Sequence, residues 1–398
     1  MILDRLFQLM SEKHASDLFI SAGAPIHIKI QGHTTPVNQQ IMSSVMIEKI
    51  ARELMTEDQA RIFEATMEMN LSFGVPKIGN FRINLFRQRA SISIVVRFIL
   101  GNIPSLDTLN LPPALSGLVM EKRGLILIVG ATGSGKSTTI AAMLDYRNAN
   151  RSGHILTIED PIEFLFRHKK SIVNQRELGM DTLTWEQALK NAMRQAPDCI
   201  LIGEIRDRET MQSAIAYAQT GHLCLATLHA NNSYHALNRI INFFPLENRT
   251  ALYLDLSTSL KAIVSQRLVG RRDGRRIPTV EVLLNTRHIQ ELIERGEILS
   301  IKEAMEQSLA PGSQTFEQDL FRLYGDETIT LDEALINADS PTNLSWLINN
   351  SGIEPGKKEK REIDPTLEFP ETDEAGTSFK EFSLNLGDGP GDGNGRVR

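Results

Sequence analysis

Gly130-Ala131-Thr132-Gly133-Ser134-Gly135-Lys136-Ser137 fits the spacing G-x-x-x-x-G-K-[ST]. Each residue type has a task in holding phosphate. The glycines permit a tight turn, so several backbone N–H groups converge on one anion. Lys136 brings a positive charge to the terminal phosphates, and the Ser137 hydroxyl suits Mg²⁺. Thr138 opens a helical stretch over residues 138–146, whose first turn directs its dipole at the anion. The motif needs a strand before it, and Leu125-Ile126-Leu127-Ile128-Val129 supplies one. The expected ligand is a nucleoside triphosphate with Mg²⁺.

Hydrolysis of that ligand calls for one acid on the metal side and another group to position water. Two segments offer carboxylates. Thr157-Ile158-Glu159-Asp160-Pro161-Ile162-Glu163-Phe164 follows a short strand. Cys199-Ile200-Leu201-Ile202-Gly203-Glu204 is an apolar strand ending in an acid, the Walker-B arrangement with Glu in place of the commoner Asp. Strand ends in an open α/β sheet face the ligand crevice. Glu204 then joins Ser137 at the metal, and Glu159, Asp160 or Glu163 stands near the terminal phosphate. Spacing alone does not choose among those three. His229 follows the strand over residues 223–227 and shares that edge, whereas His222 precedes the strand. A lone histidine more often packs or caps than catalyses, so position is what favours His229.

The elements that must hold these residues change character along the chain. Residues 1–100 read as a small α+β domain, with helical spacing over 3–14, 41–52 and 56–68. Strands are expected over 16–20, 26–30, 81–86 and 91–98, with Arg87-Gln88-Arg89 as a hairpin tip. Residues 101–113, with Pro104, Pro112 and Pro113, read as a linker. Residues 114–350 form the second domain. Continuous apolar runs at 125–129, 155–158, 199–202 and 223–227 alternate with helical stretches there, as a parallel sheet covered on both faces requires. Beyond about residue 280 the pattern is helical, over 288–295, 301–307, 315–324, 330–338 and 344–349. Residues 351–398 are rich in Lys, Glu, Asp, Gly and Pro and read as a disordered tail.

Composition narrows the class. The net charge of -6 gives no global basic footprint, so nucleic acid is not an expected partner. Arg271, Arg272, Arg275 and Arg276 read as a solvated turn. Cys199 and Cys224 sit in apolar runs without metal-ligand spacing, as buried thiols in a reducing compartment would. No signal-peptide pattern or spanning stretch is visible. The expected location is cytoplasmic, with any membrane contact made through partners.

Four blocks stand in order: GATGSGKS, TIEDPIEF, ILIGEIRD and TGHLCLATLHA. Together they resemble the Walker A, aspartate, Walker B and histidine boxes of the secretion-ATPase superfamily. ASDLFISAGAP, APDCILIGEIRD and ETMQSAIAYAQTGHLCLATLHANN are similar to segments of type IV pilus retraction ATPases, the PilT and PilU proteins. INFFP, VEVLLNT and QTFEQDLFRLY point to the PilU branch. PilT proteins carry a segment close to A-I-R-N-L-I-R-E, and here Gln290 and Glu294 replace both arginines.

The resemblance, over residues 1 to about 345, implies a RecA-like P-loop core with a PAS-like N-terminal domain, assembled as a homohexamer. It implies ATP and Mg²⁺ as ligands, Glu163 as catalytic base and Glu204 as the magnesium-side acid. Arg82 and Arg97, which read on their own as exposed strand residues, match arginines that reach nucleotide between subunits. Pilus retraction follows, as accessory to a PilT-type motor and docked through an inner-membrane platform protein. Three other readings compete. A secretion or pilus-extension motor would usually carry a tetracysteine zinc site. A DNA translocase would carry a basic channel. A non-hydrolysing nucleotide-binding adaptor would have no use for intact acids at Glu163 and Glu204.

Overall fold

A computed structural model describes residues 3–30, 32–76, 78–99, 102–308 and 310–350. The chain divides into two units, one within Met1–Gly101 and the other beginning at Asn102. The expected tail over 351–398, and residue 101 of the expected linker, lie outside the described residues.

In the first unit, α1 (Asp4–Glu12) precedes β1 (Asp17–Ile20), β2 (Pro25–Ile30) and β3 (His33–Ile41). Then follow α2 (Ser44–Leu54), α3 (Glu57–Thr66), β4 (Glu68–Val75), β5 (Gly79–Gln88) and β6 (Ser91–Ile99). The strands form one antiparallel sheet in the order β3-β2-β1-β6-β5-β4. Alternate residues such as Leu18, Ile20, Ile83, Ile94 and Val96 share a core with Leu6, Phe7, Ile47 and Phe63 of the helices. Ser43 and Thr56 cap α2 and α3 by accepting from Met46 N and Gln59 N, which fixes where those helices begin.

β3 and β4 are absent from the sequence expectation. Both are edge strands of polar composition, and Val37 and Leu71 are their buried side chains, too few to create a period-two signal. Ile41 closes β3 rather than opening a helix. The hairpin tip is also displaced: Arg89 and Ala90 turn the chain with φ of 46° and 59°, while Arg87 and Gln88 stay in the ladder opposite Ile92 and Ser91. A two-residue turn with both φ positive matches the twist of its strands.

The second unit opens with α4 (Ala114–Val119), β7 (Gly124–Val129), α5 (Lys136–Asn150), β8 (Gly153–Glu159) and β9 (Ser171–Glu177). It continues through α6 (Trp185–Ala192), β10 (Cys199–Ile202), α7 (Arg208–Gln219), β11 (Leu223–Leu228), α8 (Ser233–Asn242) and α9 (Arg249–Ser259). The hairpin β12 (Leu260–Gly270) and β13 (Arg276–Leu284) comes next. Five helices end the described chain: α10 (Arg287–Arg295), α11 (Ile301–Glu306), α12 (Phe316–Gly325), α13 (Leu331–Asn337) and α14 (Pro341–Asn350).

The sheet order is β13-β12-β7-β11-β10-β8-β9, parallel throughout except for the β12–β13 pair. Both faces are covered. Leu125, Leu127, Ile200 and Cys224 enter one core, while Ile126, Ile128, Cys199 and Leu225 enter the other. The two cysteines are free and buried. β9, β12 and β13 also escaped the sequence reading. β12 and β13 carry polar residues such as Ser265, Gln266, Thr279 and Glu281, which are buried here with partners. Helices α12 to α14 pack Phe316, Leu320, Leu344 and Ile348 on Val269 and Ile277 at the far end of that hairpin. Its turn holds the arginine cluster, in which Arg271 and Arg275 both pair with Asp273. Among the described residues, no helix is long and apolar enough to cross a membrane.

Candidate active site

The parallel order places four carboxyl-terminal strand ends side by side, because β7 neighbours β11, β11 neighbours β10, and β10 neighbours β8. The phosphate loop follows β7, His229 follows β11, Glu204 follows β10 and the 159–163 acids follow β8. They line one cleft of about 250 Å³, to which Thr132, Gly133, Lys136, Ser137, Glu159, Asp160, Glu163, Glu204, Thr227 and His229 all contribute.

The loop has its shape because β12 presses against it. A Cβ on Gly130 would meet the Gln266 carbonyl at 2.5 Å, and one on Gly135 would meet Gln266 Nε2 at 2.7 Å. Only glycine fits at either position. Gln266 is itself buried and accepts from Thr139 Oγ1 at 2.7 Å, tying β12 to the first turn of α5. Ala131, Thr132, Gly133 and Ser134 complete the turn, and Ser137 and Thr138 lie in α5, which starts at Lys136. Lys136 Nζ donates to the Gly130 carbonyl at 2.8 Å and the Ala131 carbonyl at 2.9 Å. Burial lowers its pKa, and the nearby charges of Glu204 and Glu163 oppose that shift.

The structure separates the three acids that spacing left equivalent. Glu159 accepts from Thr157 Oγ1 at 2.6 Å and from Gln175 Nε2 at 3.2 Å. Desolvation pushes its carboxyl up to about 7, against those two hydrogen bonds and with help from Glu163 and Glu177. Asp160 pairs with Arg206. Glu163 is exposed, lines the cleft and acts on Lys136 and Glu159 through its charge. Buried Glu177 anchors their loop by accepting from Ile162 N at 3.1 Å.

Glu204 Oε2 accepts from Arg206 Nε at 2.6 Å, and His229 Nε2 lies 3.3 Å from the other oxygen. The described residues contain no cluster of three or more His, Cys, Asp or Glu able to hold a metal ion. One hydroxyl, Ser137, and one carboxylate, Glu204, in the same cleft nevertheless fit Mg²⁺, which draws its remaining ligands from phosphate and water.

Arg82 and Arg97 belong to the first unit, not to this cleft. They face each other across β5 and β6 on the side of the sheet opposite its core, and Arg97 Nε donates to buried Asp17 at 2.9 Å. His222 bonds to Tyr217 and Thr220, outside the cleft. Sequence reasoning missed Arg206, Glu177 and Gln266. A polar residue within an apolar strand was the available signal for Gln266, and the charged run after Glu204 was the signal for Arg206.

A sequence model of the type II/IV secretion system protein family matches residues 1–276. The chain belongs to that family. The chain is 46% identical to the type IV pilus ATPase PilU of Pseudomonas aeruginosa, over 96% of its own length and 100% of that protein's. It is 36% identical to the retraction ATPase PilT of the same organism, over 86% of this chain and 100% of that one. A crystal structure of the pilus retraction motor PilT with bound ADP superposes with a TM-score of 0.81 at 38% identity, covering 87% of this chain and 99% of that one. The second unit is thus a RecA-like P-loop core with a smaller α+β domain before it. This family member is a nucleotide-binding ATPase of the type IV pilus kind.

Proposed function

We propose that the chain is a ring-forming motor that couples ATP hydrolysis to type IV pilus retraction, as a PilU-type accessory to a PilT motor. The observation that carries this reading is the meeting of the phosphate loop, the Walker-B acid and the aspartate-box acids in one cleft.

When bound, Mg²⁺ supplies charge to the β- and γ-phosphates, and Ser137 and Glu204 would hold it. The backbone N–H groups of residues 130–138 cradle the phosphates. Lys136 leaves the two loop carbonyls and donates to the terminal phosphate, which restores the hydrogen bonds it gives up. Glu163 takes the proton of the attacking water, because Glu159 and Asp160 already have partners and Glu163 is exposed to solvent. His229, beside the other Glu204 oxygen, helps orient that carboxylate.

Arg82 and Arg97 of one copy complete the site of another. Arg82 and Arg97 are register partners on one face of the sheet, with Asp17 orienting Arg97, and two guanidinium groups there suit a phosphate. Loss of the γ-phosphate then removes the contacts between copies, and repetition around a homohexamer does mechanical work on an inner-membrane platform protein at the cytoplasmic face. Gln290 and Glu294, exposed on α10 where PilT proteins carry arginines, favour the accessory role.

ATP turnover of the purified chain beside Lys136→Ala, with the mass of the assembly recorded at the same concentration, tests this reading. The expected result is turnover from a ring-sized particle that the variant lacks. Turnover equal in both proteins would overturn it.

A further inference from the structure

Arg206 lies two residues beyond Glu204, on the turn from β10 to α7. Its Nε donates to Glu204 Oε2 at 2.6 Å, and its Nη1 reaches Asp160 Oδ2 at 3.4 Å. One guanidinium thus bridges the acidic segments that follow two neighbouring strands, where Ile158 of β8 sits beside Ile202 of β10. Gly203 fixes the span of the bridge. A Cβ there would lie 3.1 Å from Glu159 Cα and 3.2 Å from the Ile158 carbonyl, so the strand ends approach closely.

The other Glu204 oxygen is beside His229. The Walker-B acid and the phosphate-loop lysine thus both rest on internal partners. A carboxylate oxygen that accepts a short, charge-assisted hydrogen bond from a cation is a weaker ligand for a divalent cation than the same oxygen unpaired.

We propose that Arg206 is a positioning residue that competes with a divalent cation for Glu204 Oε2. It releases Oε2 in exchange when a divalent cation enters with nucleotide. The proposal rests on the reading of Glu204 as the metal-side acid. Arg206 is half-exposed, with a side-chain exposure of 51%, so the hold is weak enough to be exchanged.

The test is titration of Mg²⁺ into the full chain saturated with ADP, followed by calorimetry, which needs no turnover. Arg206→Gln and Arg206→Lys should both bind Mg²⁺ tighter than wild type, by about two- to fivefold for an exposed pair. Lysine keeps the charge but lacks the planar fork that spans Glu204 and Asp160. Arg206→Lys binding like wild type would reduce the effect to distant charge and overturn the exchange. Weaker binding by Arg206→Gln would overturn it as well. Should Arg206→Gln fail to fold, as judged by its thermal transition, Arg206→Lys decides alone. Glu204→Gln separates the two claims. If it leaves Mg²⁺ binding unchanged, the metal-side assignment falls and takes the proposal with it. If it weakens binding while neither Arg206 variant differs from wild type, the exchange alone is wrong.

Discussion

The sheet of the second unit is covered on both faces, whereas the sheet of the first packs one face and carries charge on the other. In the second, side chains on the strands serve the two cores, so chemistry is left to the strand ends, where Glu204, His229 and the phosphate loop stand. In the first, the two arginines proposed to act on nucleotide sit on the strands themselves, because the face away from the helices is free to carry Arg82 and Arg97. A parallel sheet organises a cleft along its edge, and a one-sided antiparallel sheet presents a surface to another molecule.

This contrast can be broken at either end. The largest effect is expected at the cleft: Glu163→Ala should lower turnover by about 10³-fold if it is the general base. Near-normal turnover, measured by phosphate release, would move the base elsewhere. On the charged face, Arg97→Ala should lower turnover by roughly 10- to 100-fold, the range for losing a charged hydrogen bond. Its nucleotide affinity in dilute, unassembled protein should stay unchanged. Equal loss in both measurements would place Arg97 within its own subunit's fold rather than at a neighbour's site.

Stability sharpens the same comparison. Ile126→Ala in the doubly covered sheet should cost about 2–5 kcal/mol in urea denaturation. Val95→Ala, half-buried beside the arginines, should cost less than about 1 kcal/mol. Similar losses at both positions would mean that the outer face of the first sheet is packed as tightly as the second sheet.

A further expected effect on stability is a pH dependence. The folded protein holds the Glu159 carboxyl at about 7, above its ordinary value of 4.5, so the fold prefers the protonated form. That contribution is complete below 4.5 and is lost as pH rises through about 7. Glu159→Gln keeps a neutral side chain throughout. Its melting temperature relative to wild type should therefore rise between pH 5 and pH 8, and a constant difference would contradict the shift.

The cleft was more legible than the frame around it. Gly130 to Ser137, Glu204 and His229 announce themselves because each stands beside an uninterrupted apolar run, and such runs become buried parallel strands. β12 and β13 did not, because Gln266 and Glu281 break the apolar pattern. Their partners, Thr139 for one and Ser233 and Ser265 for the other, lie far away in sequence. Edge strands β3 and β4 were silent for the opposite reason, having almost nothing to bury. Spacing left Glu159, Asp160 and Glu163 equivalent and the resemblance pointed to Glu163; the partners that distinguish their surroundings, Gln175 and Arg206, are encoded by no spacing.

The central claim is that one copy's arginines act on nucleotide held by another. Mixing two inactive proteins, Lys136→Ala and the double variant Arg82→Ala with Arg97→Ala, tests it most directly. If sites are shared, mixed rings contain interfaces where an intact phosphate loop meets intact arginines, and turnover returns on mixing. Mixed rings that stay as inactive as their separate parents would contradict the account.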